Sequence, residues 1–291
     1  MSAPQQAPGE GRVTLTRQGR IATLTFDRPA ARNAMTWAMY GQLAEHCRAL
    51  AAEGIAGARV VVLRGAGGEA FVAGTDIAQF QQFSGGEDGV AYEARIDEGI
   101  ALVEQLPMPS VAVIDGWAVG GGLAIATACD FRLATPSARF GVPIAKTLGN
   151  TLSAQNLAKL RAAWGLQPVR RMLLLAQILD ADAALACGFL EGVHAPEALD
   201  AEVAALCERL GALAPVTQAV IKESLRRQTV AAVADTDDLV RQCYGSDDFR
   251  EGVDAFVGKR PPVWKGRYLF GSPGAIDRSV GPIHSSAGIG C

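Results

Sequence analysis

The sequence predicts a mixed α/β fold for the first half of the chain and helices for the second half. Strand-like runs are followed three times by a helix-like run before the next strand begins, and this alternation is typical of layered α/β proteins. The run RVVVLRG (59–65) is apolar along most of its length, which favours a sheet covered on both faces. From about residue 152 onward, apolar residues recur at spacings of three and four, which indicates helices.

Turn and capping residues place the elements of the first half. The alternating run 13–29 predicts two strands around a turn at Gln18-Gly19, and Thr36 is placed to cap a helix that ends near Glu53. The other elements predicted there are a strand at 59–65, a helix over about 88–105, a strand at 109–116, a helix ending near 128, and short strands at 130–135 and 138–141.

The second half divides into a helical region and a tail. Helices are predicted at 167–177, 180–189, 196–213, 215–228 and 232–257. The residues after Pro262 are rich in Gly, Ser and Pro, a composition typical of loosely held chain ends, and residues 1–11 read as a second flexible arm. We therefore predict a core at 12–195, a helical oligomerisation region at 196–265 and a flexible tail at 266–291.

Composition excludes several classes of function. The chain has 291 residues and a formal net charge of −3, so it lacks the basic surplus typical of nucleic-acid-binding proteins. No apolar run is long enough to span a membrane, and the first residues lack the pattern of a signal peptide. The six cysteines and three histidines show no metal-ligand spacing. We expect a cytoplasmic protein that binds no nucleic acid, membrane, metal or separate cofactor.

One glycine-rich stretch fits the loose form of a dinucleotide-binding motif. Residues 65–70 read GAGGEA and follow a predicted strand, as G-x-G-x-x-A does in such folds. That motif requires a helix immediately afterwards, whereas FVAGTDI (71–77) reads as extended chain. A loop after a strand is therefore the better interpretation, and the chain has no G-K-[ST] phosphate-binding motif.

A second glycine-rich stretch, AVGGGLAIATACD (118–130), has a different meaning. Its three glycines stand where a helix begins, so backbone N–H groups are exposed there without a side chain in the way. Such N–H groups can stabilise a developing oxyanion, helped by the positive end of the helix dipole. Close packing of the helix on a strand explains the same glycines equally well.

Five blocks in order favour the first interpretation, because together they resemble the enoyl-CoA hydratase/isomerase family, also called the crotonase superfamily. The blocks are RPAARNAM (28–35), FVAGTDIAQF (71–80), PSVAVIDGWAVGGGLAIATACDFRLAT (109–135), ARFGVP (138–143) and DDFREGVDAFVGKRPP (247–262). The resemblance implies a spiral of ββα units with a C-terminal helical region that builds homotrimers or dimers of trimers.

The resemblance also implies how an acyl-CoA thioester binds. Its carbonyl oxygen lies between the backbone N–H groups of Thr75 and Gly121, and CoA enters as part of the substrate rather than as a cofactor. The chain loop at Ala30, Ala31 and Arg32, together with Ala73, lines the path of the pantetheine and phosphates. The implied positions elsewhere in the substrate site are Asp76, Trp117, Gly120, Ala124 and Ile144, with Phe256 and Lys259 towards the adenine or ribose phosphate.

The carboxylates expected from the resemblance are missing. Ala124 and Ile144 occupy the positions where family hydratases carry glutamates, and neither side chain can transfer a proton. Other acidic or basic candidates are Asp76, Asp115, Asp130 and Lys146, each of which also fits a structural or exposed role. The two-carboxylate mechanism of hydration, with acid and base on one water, is therefore not expected here.

Three functions remain open at this point. The first is an acyl-CoA enzyme of the enoyl-CoA hydratase/isomerase type that stabilises an enolate by two N–H groups. Its reaction is hydration, a double-bond shift, decarboxylation or hydrolysis. The second is a non-catalytic acyl-CoA-binding homologue, favoured by the missing acids. The third and weakest is an NAD-dependent enzyme that uses the Gly65 motif.

Overall fold

The computed structural model describes residues 9–231 and 233–266, with only the backbone of Gln79, and it has the mixed α/β architecture that the sequence predicts. Within these residues the strands are β1 (Arg12–Gln18), β2 (Ile21–Asp27), β3 (Val60–Gly65), β4 (Ala70–Ala73), β5 (Ser110–Ile114), β6 (Trp117–Val119), β7 (Phe131–Ala134), β8 (Arg139–Gly141), β9 (Leu179–Asp180) and β10 (Gly192–Val193).

The three helices of the first half lie close to the predicted positions. A short helix of four residues precedes the helices of the second half. The helices are α1 (Trp37–Gly57), α2 (Gly86–Glu104), α3 (Gly121–Ala128), α4 (Ile144–Thr147), α5 (Ala154–Trp164), α6 (Leu166–Leu174), α7 (Ala181–Ala186), α8 (Pro196–Ala212), α9 (Pro215–Val230), α10 (Asp237–Tyr244) and α11 (Asp247–Val257). Turns of 3-10 helix cover Pro29–Ala31 and Ile77–Gln82.

Two sheets are built from a repeated unit of two strands and a helix. The larger sheet has the order β1-β2-β3-β5-β7-β10, and the smaller has the order β4-β6-β8-β9. Each of the pairs β3–β4, β5–β6 and β7–β8 gives its first strand to the larger sheet and its second strand to the smaller one. Strands contributed by successive units are parallel within each sheet. This is the ββα spiral that the resemblance implies.

Apolar side chains cover both faces of the larger sheet. The main core packs on one face and includes Leu63 and Ala112. A second cluster on the other face joins Val60 and Val62 of β3 to apolar residues of α8 such as Leu206. The continuous apolar character of β3 therefore has the predicted cause, because its alternate side chains enter two different cores.

The predicted helix at 232–257 is wrong in one respect, because the chain forms two helices there. Helix α10 ends at Tyr244, and α11 begins at Asp247. Ser246 separates them: it has extended backbone angles, and its hydroxyl accepts a hydrogen bond from the N–H of Phe249 at 3.0 Å. A serine N-cap favours the start of a new helix over the continuation of the old one.

The expectation of helices alone after residue 152 is also incomplete. Two-residue strands lie between the helices: β9 pairs with β8, and β10 extends the larger sheet beside β7. Their apolar residues, such as Leu179 and Val193, are too few to show a period of two. Helix α1 also continues past its predicted end, because Gly54 adopts a φ of 63° and kinks it without ending it.

The chain ends are only partly described. Residues 1–8 and 267–291, which include nearly all of the predicted arm and tail, lie outside the described residues. The boundaries of the three predicted regions remain predictions. No single helix of 9–231 and 233–266 has the length and hydropathy needed to cross a membrane. Helices α8 and α9 pass that test only as a pair bent by 102°.

Candidate active site

Three neighbouring strands of the smaller sheet end together, and each leads into a predicted site residue. In the parallel ladders, Ala73 of β4 pairs with Val119 of β6, which in turn pairs with Gly141 of β8. The chain continues from these positions to Thr75, to Gly121 and to Ile144. Since parallel strands present their carboxyl ends at one edge of a sheet, the three segments leave the sheet at the same edge, which makes this edge the candidate site.

Glycines with unusual backbone angles allow two of these segments to approach each other. Gly74 has a φ of +100° and Gly120 a φ of +54°, values that L side chains adopt at a cost. A β-carbon on Gly120 would lie 3.6 Å from the Cα of Gly74. The segments are fixed from outside as well: the N–H of Gly120 donates to the carbonyl of Gly141 at 3.0 Å.

The backbone N–H groups of Thr75 and Gly121 differ from those of their neighbours in their hydrogen bonding. Met35 binds both neighbours of Thr75: its N–H donates to the carbonyl of Gly74, and its carbonyl accepts from the N–H of Asp76, each at 2.9 Å. Within 9–231 and 233–266, the hydrogen-bonding partners include no acceptor for the N–H of Thr75 itself or of Gly121. Gly121 is the first residue of α3, so its N–H also lies at the positive end of a helix dipole.

The neighbouring glycines of the triplet serve different purposes. A β-carbon on Gly122 would overlap the carbonyl oxygen of Val72, so this glycine lets α3 pack directly on β4. A β-carbon on Gly121 would meet only side-chain atoms, of which the nearest are Tyr40 Oη at 2.6 Å and Thr75 Oγ1 at 3.0 Å. Close packing explains Gly122, while Gly121 faces a group of hydroxyls.

Three hydroxyl groups form a hydrogen-bonded row beside Gly121. Thr75 Oγ1 lies 2.9 Å from Tyr40 Oη and accepts a hydrogen bond from Tyr92 Oη at 3.2 Å. Trp37 contacts both tyrosine rings, with ring centroids 5.8 Å apart in each case. Burial raises the pKa of Tyr40 to about 12 and that of Tyr92 well above its ordinary value. Both phenols are therefore neutral at physiological pH.

Apolar residues occupy the two positions at which the resemblance implies glutamates. Ala124 lies one turn into α3, where its N–H donates to the carbonyl of Gly120 at 3.1 Å. Ile144 begins α4 just beyond β8. Both side chains are half-buried and pack against the main core. Neither position offers a proton acceptor.

Comparison with known proteins identifies the family. The family model described as enoyl-CoA hydratase/isomerase matches residues 16–267, most of the chain. This protein belongs to the enoyl-CoA hydratase/isomerase family. Among curated relatives, a probable enoyl-CoA hydratase of Rhizobium meliloti is 31% identical over 255 residues, which cover 86% of this chain and 96% of the relative. The short-chain-enoyl-CoA hydratase of Clostridium acetobutylicum is 29% identical, with 85% and 95% covered.

Solved structures of the family have the same fold. An enoyl-CoA hydratase/carnithine racemase of Magnetospirillum magneticum is 35% identical with a TM-score of 0.70, and the match covers 88% of this chain and 96% of that one. A methylmalonyl-CoA decarboxylase in complex with 2-nitronate-propionyl-CoA is 26% identical with a TM-score of 0.79, with 88% and 98% covered. The fold is thus shared by relatives that are named for different reactions.

The chain has acidic residues near this edge, but they are engaged in structural contacts. Asp76 forms an ion pair with Arg28 at 3.0 Å and caps the following 3-10 turn through the N–H of Ala78. Asp115 accepts hydrogen bonds from the hydroxyls of Thr135 and Ser137. These contacts agree with the structural role that the sequence analysis considered for both carboxylates.

Two more sequence candidates are explained in the same way. Asp130 forms an ion pair with Lys222 of α9 at 2.7 Å, which ties that helix to the larger sheet. Lys146 is exposed, as expected for an ordinary surface lysine.

The residues predicted for CoA binding are brought together only in part. The N–H of Ala73 donates to the carbonyl of Arg32 at 3.0 Å, which places the loop at Ala30 and Ala31 beside the β4 segment. Arg32 is exposed, with a φ of 49° and its guanidinium 4.0 Å from the carboxylate of Glu69. Trp117 lies at the start of β6, the strand end opposite Gly120.

Two further CoA candidates lie near the end of the described chain. The side chain of Phe256 is 51% exposed, and Lys259 is exposed with a φ of 50° just beyond α11. Within 9–231 and 233–266, no hydrogen bond, ion pair or ring contact links either side chain to the loop at 30–32 or to Ala73.

Sequence reasoning missed a buried carboxylate behind the hydroxyl row. Glu93 of α2 is 4% exposed and accepts hydrogen bonds from Tyr244 Oη at 2.6 Å and from the N–H of Ser153 at 2.9 Å. Burial raises its pKa to about 7. Asn150 extends this group by donating to Tyr244 Oη at 3.1 Å.

A signal for Glu93 was present in the sequence. Buried positions on α2 include Glu93, Ile96, Ile100 and Val103, so the glutamate lies on the apolar stripe of an amphipathic helix. A charged residue in such a stripe needs partners in the fold, and here α10 and the segment after α4 provide them.

Proposed function

We propose that this protein is an acyl-CoA enzyme of the enoyl-CoA hydratase/isomerase type. The observation that carries the proposal is the pair of unpartnered N–H groups on Thr75 and Gly121, held side by side at the ends of β4 and β6. A thioester enolate carries its negative charge on oxygen, and two fixed donors stabilise that charge without reorganisation. Family membership and the names of the relatives support an acyl-CoA thioester as the ligand.

Hydration by two carboxylates is not part of the proposal. Ala124 and Ile144 supply no acid or base at the positions implied by the resemblance. General acid–base catalysis by one positioned group typically contributes about 10²–10⁴-fold in rate. We therefore expect hydration of crotonyl-CoA to be slow or undetectable.

The first assay mixes the purified chain with crotonyl-CoA and follows loss of the conjugated thioester absorbance, with the product identified by mass. Slow or absent turnover together with measurable CoA-thioester binding supports the proposal. Fast hydration overturns the inference from Ala124 and Ile144. Absence of binding to any CoA thioester overturns the acyl-CoA assignment itself.

Among reactions that need no carboxylate base, we propose decarboxylation, because a named decarboxylase is among the structural neighbours and positions 124 and 144 carry no carboxylate. The methylmalonyl-CoA decarboxylase fold matches with a TM-score of 0.79. In such a reaction the C–C bond breaks, CO₂ leaves, and the electron pair enters the enolate held by the two N–H groups. Glutamates at 124 and 144 would repel the substrate carboxylate, and the alanine and isoleucine remove that repulsion.

A non-catalytic acyl-CoA-binding role is the second candidate, favoured by the absence of both glutamates. It is distinguished by assay of methylmalonyl-CoA and malonyl-CoA for CO₂ release. A binding protein holds these thioesters without turnover, whereas the enzyme releases CO₂ at a rate that the Gly121→Pro substitution lowers.

We further propose that the helical region assembles a homotrimer or a dimer of trimers. Helix α9 contributes no buried residue and exposes an apolar stripe at Val216, Val220 and Leu225, each more than half exposed. Contiguous exposed apolar residues of this kind mark interaction surfaces. Sedimentation equilibrium tests the assembly, which a Val220→Glu/Leu225→Glu variant is expected to break into monomers.

A further inference from the structure

The side chains nearest to Gly121 are hydroxyls. Tyr40 Oη and Thr75 Oγ1 lie 2.6 Å and 3.0 Å from the place that a β-carbon on Gly121 would occupy. Tyr40 is 7% exposed and belongs to the main core, yet its oxygen lies beside the first residue of α3. A polar atom directed at an otherwise bare helix start points to a role with a ligand bound there.

Counting protons shows that one hydroxyl hydrogen is left over for that ligand. Tyr92 donates its proton to Thr75 Oγ1, and a second proton lies between Thr75 and Tyr40. The third proton takes part in neither hydrogen bond. It is on Tyr40 if Thr75 donates to Tyr40, and on Thr75 if Tyr40 donates to Thr75. The first arrangement is a head-to-tail row in which each hydroxyl accepts from the one behind, and such rows strengthen their members cooperatively.

We propose that Tyr40 is the general acid of this site, delivering its proton to the α-carbon of the acyl-CoA enolate, with Thr75 and Tyr92 as the row that restores it. This deepens the proposed function and rests on it. It assigns to a tyrosine of α1 the proton transfer for which the two glutamate positions offer no group.

The proton and electron balance of the step is complete. The electron pair of the enolate forms a C–H bond at the α-carbon as the O–H bond of Tyr40 breaks. The phenolate then takes the proton of Thr75, Thr75 takes that of Tyr92, and Tyr92, which is half-buried, takes up one proton from solvent, the proton that the overall decarboxylation consumes. Burial keeps Tyr40 neutral at physiological pH, so this group can donate a proton but does not serve as a base. Decarboxylation requires only such a donor, because loss of CO₂ forms the enolate without removal of a proton.

The carboxylates near the row are occupied by other partners. Glu93 is held by Tyr244 and Ser153, and Asp76 is held by Arg28. Tyr40 has a single hydroxyl neighbour within the described residues, so its oxygen remains free to contact substrate.

Binding of an enolate mimic tests the proposal without knowledge of the natural substrate. The probe is 2-nitronate-propionyl-CoA, the anion held by the methylmalonyl-CoA decarboxylase neighbour, and the reference ligand is propionyl-CoA. The wild-type chain is expected to prefer the nitronate. Tyr40→Phe, which keeps the ring against Trp37, is expected to lose about 10- to 100-fold of that preference, as for a hydrogen bond to a charged group. Its affinity for propionyl-CoA should stay within about twofold.

Two further variants separate this role from general damage to the fold. Tyr244→Phe also removes a buried phenol hydroxyl, one that hydrogen-bonds Glu93 and not Thr75 in the described structure, and it keeps the ring that contacts Tyr92, so its preference for the nitronate should match that of the wild type. Thr75→Val keeps the N–H and removes the middle hydroxyl, and it should lose preference in the same direction as Tyr40→Phe.

The outcomes are distinct. A Tyr40→Phe variant that keeps the full nitronate preference overturns the role of Tyr40 and leaves the proposed function standing. A wild-type chain that binds both ligands equally, or neither, overturns the proposed oxyanion site and the role of Tyr40 with it.

Discussion

Thr75 Oγ1 lies 3.0 Å from the position that a β-carbon on Gly121 would occupy, although the two residues are 46 positions apart in the sequence. The pairing of β4 with β6 creates this proximity, because the two strands end at the same edge and each is followed by a glycine with positive φ. As a result, the hydroxyl row of Tyr40, Thr75 and Tyr92 lies beside the start of α3.

Removal of the Gly121 N–H should reduce activity strongly. Proline is accepted at the first residue of a helix, so Gly121→Pro deletes the donor without breaking α3. Gly121→Ala places the same β-carbon against Tyr40 but keeps the N–H, and it is the matched control. We expect Gly121→Pro to be about 10²–10³-fold slower than Gly121→Ala. Equal rates of CO₂ release from methylmalonyl-CoA in the two variants would contradict the role of this N–H.

Gly122 should be needed for stability rather than for chemistry. A β-carbon there would overlap the carbonyl of Val72, so Gly122→Ala is expected to lower the free energy of unfolding by a few kcal/mol through overpacking. Gly211→Ala in α8, where a β-carbon meets no atom within 4 Å, should be neutral or slightly stabilising. Urea denaturation of both variants checks this, and equal midpoints would refute the packing argument.

Glu93 should make the stability of the protein depend on pH. Its pKa is about 7 in the folded chain because burial disfavours the charged form, and it lies near 4.3 in an unfolded chain. Its stabilising contribution is present below about pH 4 and is lost as pH rises through about 7, by up to about 4 kcal/mol. Glu93→Gln should show less loss of unfolding free energy between pH 5 and pH 8 than the wild type.

Glu98→Gln, an exposed carboxylate on the same helix, provides the control for Glu93→Gln. It should keep the pH dependence of the wild type. If the Glu93 and Glu98 variants lose stability equally between pH 5 and pH 8, the buried carboxyl is not the titrating group.

Restoring the two carboxylates should change the reaction. Ala124→Glu/Ile144→Glu is expected to raise crotonyl-CoA hydration by at least about tenfold over the wild type, because acid and base would then face one water. Ala124→Gln/Ile144→Gln matches the size without the charge and should stay inactive. A glutamate variant that folds but hydrates no faster than its glutamine control would show that these positions do not face the thioester.

The sequence predicted the elements around the site because they depend on local signals. The strands and the Thr36 cap follow from short-range patterns, whereas Thr75 and Gly121 were expected only from the family resemblance, and the structure places Gly74 and Gly120, which precede them, side by side. Even the Gly245-Ser246 break between α10 and α11 had a local signal, since Ser246 precedes two aspartates in the manner of an N-cap.

The hydroxyl row and the buried glutamate depend on long-range packing and were not predicted. Tyr40 reads as one more apolar residue of an amphipathic helix, and its partner Thr75 is 35 positions away. Glu93 meets Tyr244 across 151 positions. The periodicity of a single helix or strand cannot predict these long-range hydrogen bonds, because they form only when α1, α2 and α10 pack around the ends of β4 and β6.

The most direct test of the central claim is the carbonyl stretch of bound butyryl-CoA labelled with ¹³C at the thioester carbon, measured by infrared difference spectroscopy. Two N–H donors at the oxygen polarise the bond, so we expect the bound band at lower frequency than in water, with a smaller displacement in Gly121→Pro than in Gly121→Ala. A bound band at the frequency seen in water, unchanged among the variants, would contradict the assignment of Thr75 and Gly121 as the donors that hold the thioester oxygen.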